Sequence, residues 1–259
     1  MSFAADVSPD GPFALVTNAT GFAGPPAVQA LLDLGFHVLA HDAAFAQKTA
    51  WEDFGQSRAR LTPISETTPE AVIAAALGHA GRLSAIVSND HHPAPAFPPE
   101  SAPIASLRDN YDRLVEFPFR LIQAALPAFR DAGGGNVVMI TSNRTRLPLS
   151  GGAFPDAARA AANALVRSLA IDCAPYGVTV NAVAPNFLYS EAYYPRALFR
   201  ETPHGRAYVE ASVPVGRLAE PQEIGELIGF LATARTRFLT GAVVDFSGGW
   251  PCAPARPSA

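Results

Sequence analysis

Short apolar runs without polar alternation recur along this chain, and segments with helical spacing separate them. Residues 13–17, 36–40, 83–88, 136–141, 177–184 and 241–246 carry the pattern, and 60–64 is a weaker case. A run with no polar face is what a strand buried on both sides looks like, as in a parallel sheet. The intervening segments predict helices over 25–34, closed by Gly35, and over 221–232. Thr68, Pro69 and Glu70 open another, with Val72, Ile73 and Leu77 on one face. Long helices are expected over 106–129, where Pro118 predicts a kink, and over 155–174, where Pro155 suits the first turn. Residues 186–216 read as a loop and a short helix lying off the sheet. Short connections and right-handed crossovers then give one Rossmann-like, doubly wound α/β domain over 1–259. About seven parallel strands carry helices on both faces. Residues 1–11 read as an N-terminal extension and 250–259 as a C-terminal tail. Ligands in such a fold bind at the carboxyl ends of the strands, here Thr17, His41, Asn89, Ser142 and Pro185.

Composition removes several function classes. The net charge of −4 provides no basic field for nucleic acid or an anionic membrane. Two cysteines, Cys173 and Cys252, exclude a disulfide framework and a cysteine zinc site. No apolar run reaches membrane-spanning length, and the first basic residue is Lys48, so a cytoplasmic location is expected. Lys48 is also the only lysine, and the single candidate for any lysine chemistry.

Three segments resemble the short-chain dehydrogenase/reductase family. Thr17-Asn18-Ala19-Thr20-Gly21-Phe22-Ala23-Gly24 stands where that family has its glycine-rich turn. Pro214-Val215-Gly216-Arg217 with Pro221-Gln222-Glu223-Ile224, and Leu239-Thr240-Gly241 with Gly248-Gly249, match its C-terminal part. The resemblance implies the fold, but two departures stand out. The family turn reads T-G-x-x-x-G-x-G, and its glycines let a pyrophosphate approach a helix N-terminus. Here Asn18 and Phe22 replace two of them, and a phenyl ring takes space the cofactor needs. Asp42, where an acidic residue would hold an adenine ribose, is read as structural. The family's Tyr-x-x-x-Lys pair becomes Pro155 and Arg159.

A nicotinamide-independent branch, the halohydrin dehalogenases, resembles the chain more closely. These enzymes close a vicinal halohydrin to an epoxide with Ser, Tyr and Arg. Phe22 with Gly24, His41-Asp42 with Phe45, Val87-Ser88-Asn89-Asp90, and Pro185-Asn186-Phe187-Leu188 with Tyr194-Pro195 carry that likeness. It implies no cofactor, a small-molecule substrate, a halide or other small anion as partner, and a homo-tetramer. It implies Ser142 and Arg159 as catalytic, Arg159 lowering the pKa of a neighbouring acid. Aromatic edges of Phe22, Phe187 and Tyr194 and backbone donors from Pro185, Asn186, Phe187 and Leu188 would hold the anion. The branch's tyrosine falls on Pro155, and none of the six tyrosines lies on that turn. His91 is the candidate substitute base, with His92, Asp90 and Arg144 lining the substrate pocket. A catalytically impaired anion-binding protein is the alternative, and a nicotinamide-dependent oxidoreductase ranks below both.

Overall fold

The structure is a computed structural model, and its described residues are 11–55 and 58–253. Most of the expected extension and the end of the expected tail, residues 1–10 and 254–259, lie outside the described residues. Strands β1 (Phe13–Val16), β2 (His37–His41), β3 (Leu61–Ile64), β4 (Ala85–Ser88), β5 (Gly135–Ile140), β6 (Val178–Pro185) and β7 (Val243–Phe246) form one parallel sheet. Their order is β3-β2-β1-β4-β5-β6-β7. The chain runs outward from β1 to β3, then returns to place β4 against the other side of β1. That reversal opens a crevice at the carboxyl ends of β1 and β4.

The missing alternation has a direct cause. Ala14, Val16, Val38, Ala40, Val138 and Ile140 point to one core; Leu15, Leu39, Val137 and Met139 point to the other. Helices α1 (Gly24–Asp33) and α9 (Pro221–Thr233) cover the first face through Leu31, Ile224 and Ile228. Helices α3 (Pro69–Ala80), α5 (Phe117–Asp131) and α6 (Ala153–Cys173) cover the second. They do so through Val72, Ile73, Leu121, Ile122, Val166 and Leu169. Each fully buried aliphatic side chain is worth about 1.5–3 kcal/mol, so both faces contribute.

Several sequence expectations change. The helix expected over 106–129 is α4 (Ile104–Tyr111), one π-helical turn over Asp112–Glu116, then α5. Pro118 sits in the first turn of α5, where its missing N–H is absorbed by the wider turn before it. A helix α2 (Lys48–Gly55) follows β2 and had no sequence signal strong enough to be expected. The 186–216 excursion holds two helices, α7 (Arg196–Phe199) and α8 (Pro203–Ser212). Thr202 caps α8, its side chain accepting from Gly205 N at 2.9 Å.

Candidate active site

The turn between β1 and α1 is held by side chains. Asn89 Nδ2 donates to the carbonyls of Asn18 and Gly21, both at 2.9 Å. Asn18 Nδ2 donates back to Asn89 O at 3.0 Å. Asn18 and Phe22 both have φ of 46°, the left-handed region where a side chain costs about 1–2 kcal/mol. Glycine adopts this region freely; here it is kept with side chains attached.

A nicotinamide dinucleotide does not fit these residues. The Phe22 ring stands over the turn beside the rings of His91 and Tyr193, at 6.1 and 5.0 Å between centroids. A Cβ on Gly21 would collide with His91 Nε2, so the imidazole covers the backbone that a pyrophosphate would approach. Asp42 is engaged as well: its carboxylate accepts from the Thr20 hydroxyl, Thr20 N and Ala44 N.

At the ends of β4, β5 and β6 lies a cavity of about 690 Å³. Phe22, His92, Ser142, Arg144, Arg159, Pro185, Asn186, Phe187, Leu188 and Tyr194 all line it, and Pro155 stands in its wall. Two residues expected in the site do not line it. His91 turns onto Gly21 and Phe22. Burial and the nearby Arg159 charge hold its pKa below the usual histidine value. Asp90 lies beneath the cavity, 4% exposed, accepting from the Ser88 hydroxyl. Burial raises its pKa to about 6, against the opposing pulls of Ser88 and Arg159.

Arg159 projects from the first turns of α6 and is 6% exposed. Its Nη1 donates to Asp90 O at 3.1 Å and to Ile140 O and Thr141 O at 3.4 Å, so it bridges the ends of β4 and β5. Ser142 Oγ donates to Pro185 O at 3.3 Å and accepts from Arg144 N at 3.2 Å. Arg144 is not a solvated loop arginine. It faces the cavity and pairs with Asp156 on the first turn of α6, the two side chains 21% and 14% exposed. Arg146 turns away to Asp245 at 3.0 Å.

The Pro185–Leu188 segment offers fewer backbone donors than expected. Pro185 has no N–H, Asn186 N donates to Phe246 O at 3.0 Å, and Phe187 N donates to Asn186 Oδ1 at 2.9 Å. The Leu188 amide has no partner among the described residues. Tyr194 donates to Asn186 Oδ1 at 2.6 Å, and burial pushes its phenol well above the ordinary range. Trp250, expected in the tail, instead closes the cavity against Phe187 at 5.8 Å.

Among the cavity residues that carried no expectation is Tyr193. Tyr193 extends from the excursion, its hydroxyl donating to His92 O at 2.9 Å, beside the Arg159 guanidinium. The sequence puts no phenol within a turn of Arg159. A fold in space, with no periodic signature, brings one there.

A doubly wound parallel sheet with a cavity at the ends of β4–β6 is an arrangement of the short-chain dehydrogenase/reductase type. The family model described as enoyl-(acyl carrier protein) reductase matches residues 24–251, and the chain belongs to the short-chain dehydrogenase/reductase family. A solved structure described as a dehalogenation enzyme is 34% identical, covering 92% of this chain and 98% of that one, with a TM-score of 0.88. A halohydrin dehalogenase (HheC) bound to ethyl (2S)-oxiran-2-ylacetate is 30% identical over 95% and 100%, with a TM-score of 0.90. Curated relatives include oxidoreductases. The uncharacterized oxidoreductase YmfI of Bacillus subtilis is 26% identical over 92% of this chain and 98% of its own. The cis-4-hydroxycyclohexanecarboxylate dehydrogenase of Sinomonas cyclohexanicum is 29% identical over 92% and 95%.

Proposed function

We propose that the protein is a cofactor-independent halohydrin dehalogenase-type lyase, interconverting vicinal halohydrins and epoxides with release or uptake of halide or another small anion. The observation that carries this reading is the pairing of Ser142 and Arg159 at one cavity with a turn closed to dinucleotide by Phe22 and His91. In this reading Ser142 Oγ turns from Pro185 O to hydrogen-bond the substrate oxygen. Arg159, fixed by strand-end carbonyls, supplies positive charge where that oxygen gains negative charge. The anion would lie between Phe22 and the Pro185–Leu188 segment, near the Leu188 amide and the ring edges of Phe187 and Tyr194. Leu114, Leu147, Leu149, Leu198, Phe199 and Tyr208 make much of the remaining wall apolar, which suits a bulky aryl or cycloalkyl substrate.

Pro155 favours a second reading, a family member that binds an anion without turning anything over. Purified protein assayed for halide release from halohydrins, and for epoxide opening with azide or cyanide, decides between the two. Turnover supports the lyase. No turnover across aliphatic, aryl and cyclic substrates supports the binding protein. A bromide soak with no anomalous peak beside the Pro185–Leu188 segment would count against both. Micromolar affinity for NAD(H) or NADP(H) by calorimetry would return the chain to the oxidoreductases. The described residues contain no helix long and apolar enough to cross a membrane and no cluster of metal-ligating side chains.

A further inference from the structure

The dehalogenase reading leaves a vacancy in the proton chemistry. Pro155 occupies the helix position one turn before Arg159, and a pyrrolidine ring carries no proton. We propose that Tyr193, delivered to the cavity from the segment after β6, is the catalytic residue that exchanges the proton with the substrate oxygen. This inference rests on the dehalogenase reading and deepens it.

Four observations support Tyr193 for the role. It lines the same cavity as Ser142, Arg159 and Pro155. Its backbone is fixed by a tight turn: Tyr193 N donates to Ser190 Oγ at 3.2 Å, and Ser190 bridges Tyr194. Its ring meets Phe22 edge-on at 5.0 Å and 77°, so the phenyl that fills the dinucleotide turn also supports the phenol. The hydroxyl donates to His92 O at 2.9 Å, and the Arg159 guanidinium lies beside it.

The other candidates are placed less well. Tyr194 is buried and committed to Asn186, far from an easy ionisation. The His91 ring lies on Gly21 and does not line the cavity. His92 lines it, but its ring carries no hydrogen bond to either Ser142 or Arg159, while its carbonyl serves Tyr193.

In epoxide opening, a halide, azide or cyanide ion forms a bond to an epoxide carbon and the carbon–oxygen bond breaks. The released oxygen takes the Tyr193 proton. The phenolate is left beside the Arg159 guanidinium until water reprotonates it. In the reverse direction the phenolate takes the halohydrin hydroxyl proton, the oxygen closes on the neighbouring carbon, and halide leaves with the bonding pair.

The test compares wild type, Tyr193→Phe and the double variant Tyr193→Phe/Pro155→Tyr on the best substrate of the halohydrin and epoxide panel. Phenylalanine keeps the packing on Phe22 and removes only the hydroxyl. The expected result is a fall in kcat of about 10²–10³-fold with KM held within about threefold. The double variant, with a phenol restored one turn before Arg159, should recover at least about tenfold of that loss. A Tyr193→Phe enzyme with wild-type kcat overturns the proposal and leaves the dehalogenase reading standing. So does a change confined to KM, or a loss that the double variant does not repair. A wild-type protein that turns over no halohydrin or epoxide overturns both.

Discussion

Phe22→Gly tests the meaning of the turn most directly, because two opposed effects meet at one residue. The backbone at Phe22 has φ of 46°, so glycine relieves about 1–2 kcal/mol of left-handed strain. Against that, the half-buried ring loses about 1–1.5 kcal/mol of burial. The edge contact with Tyr193 contributes about 0.5–1.5 kcal/mol more, and the freer unfolded glycine about 0.5–1 kcal/mol. The losses win, and the variant should be destabilised by about 1–2 kcal/mol. For a chain of this length that is a drop in Tm of roughly 2–8 °C. Urea denaturation followed by circular dichroism gives the first number, and differential scanning calorimetry the second. Turnover should fall further than stability, since Tyr193 loses the surface that aims it. Dinucleotide binding should stay absent, because His91 still lies on Gly21 and Thr20 and Ala44 still hold Asp42. A Phe22→Gly protein as stable as wild type, or one that binds NADH with micromolar affinity, would refute this account of the turn.

Other expectations follow from the same geometry. Asp90 has a folded pKa of about 6, above its unfolded 3.8. Its stabilising contribution is therefore complete below pH 3.8 and lost as pH rises through 6, a change of at most about 3 kcal/mol. Urea midpoints from pH 4.5 to 7.5 should fall more steeply for wild type than for Asp90→Asn, and parallel curves would contradict the assignment. Asp156→Asn leaves Arg144 facing the cavity without its carboxylate. It should cost about 1–3 kcal/mol of stability while lowering the KM for azide several-fold, and an unchanged KM would show that Arg144 does not sense the anion. Exposed Ile171 on α6 and Phe119 on α5 suit a two-fold contact between long helices, so a homo-tetramer is expected. Light scattering that returns 27.2 kDa would rule it out.

The sheet and both of its helical faces were legible because burial on two sides leaves a strand no polar residues to alternate. The strand ends were legible for the same reason: Asn89-Asp90, Ser142 and Pro185 break the apolar runs where the site begins. Ser142 and Arg159 came from the family resemblance, and both line the cavity at those ends. What stayed hidden depends on space and not on spacing. The π-helical turn at Asp112–Glu116 leaves no pattern beyond the nearby Pro118, and which of His91 and His92 faces the cavity is a matter of backbone direction. Arg144 was expected in the pocket and lines it, but its partner, Asp156, comes from another element and left no signal. Tyr193 was invisible because nothing local distinguishes it from Tyr189 or Tyr194.

The excursion carries its own small core, in which Phe187, Val209, Val213 and Leu218 are packed by Tyr189, Tyr194, Phe199 and Trp250. Ser142 and Phe22 belong to the sheet end and its first turn and Arg159 to helix α6, while Phe187 and Tyr194 belong to this satellite and Tyr193 comes from the same excursion. The working set is thus divided between two packing units of unequal size, and the smaller one has far less buried surface to resist opening. Heat should separate them in order: the satellite loosens first, catalysis stops, and the sheet remains folded. Thermal inactivation would then be reversible over an interval below the melting of the main chain. Exchange of the 186–216 segment among relatives would replace half of the site without disturbing the scaffold that holds the other half.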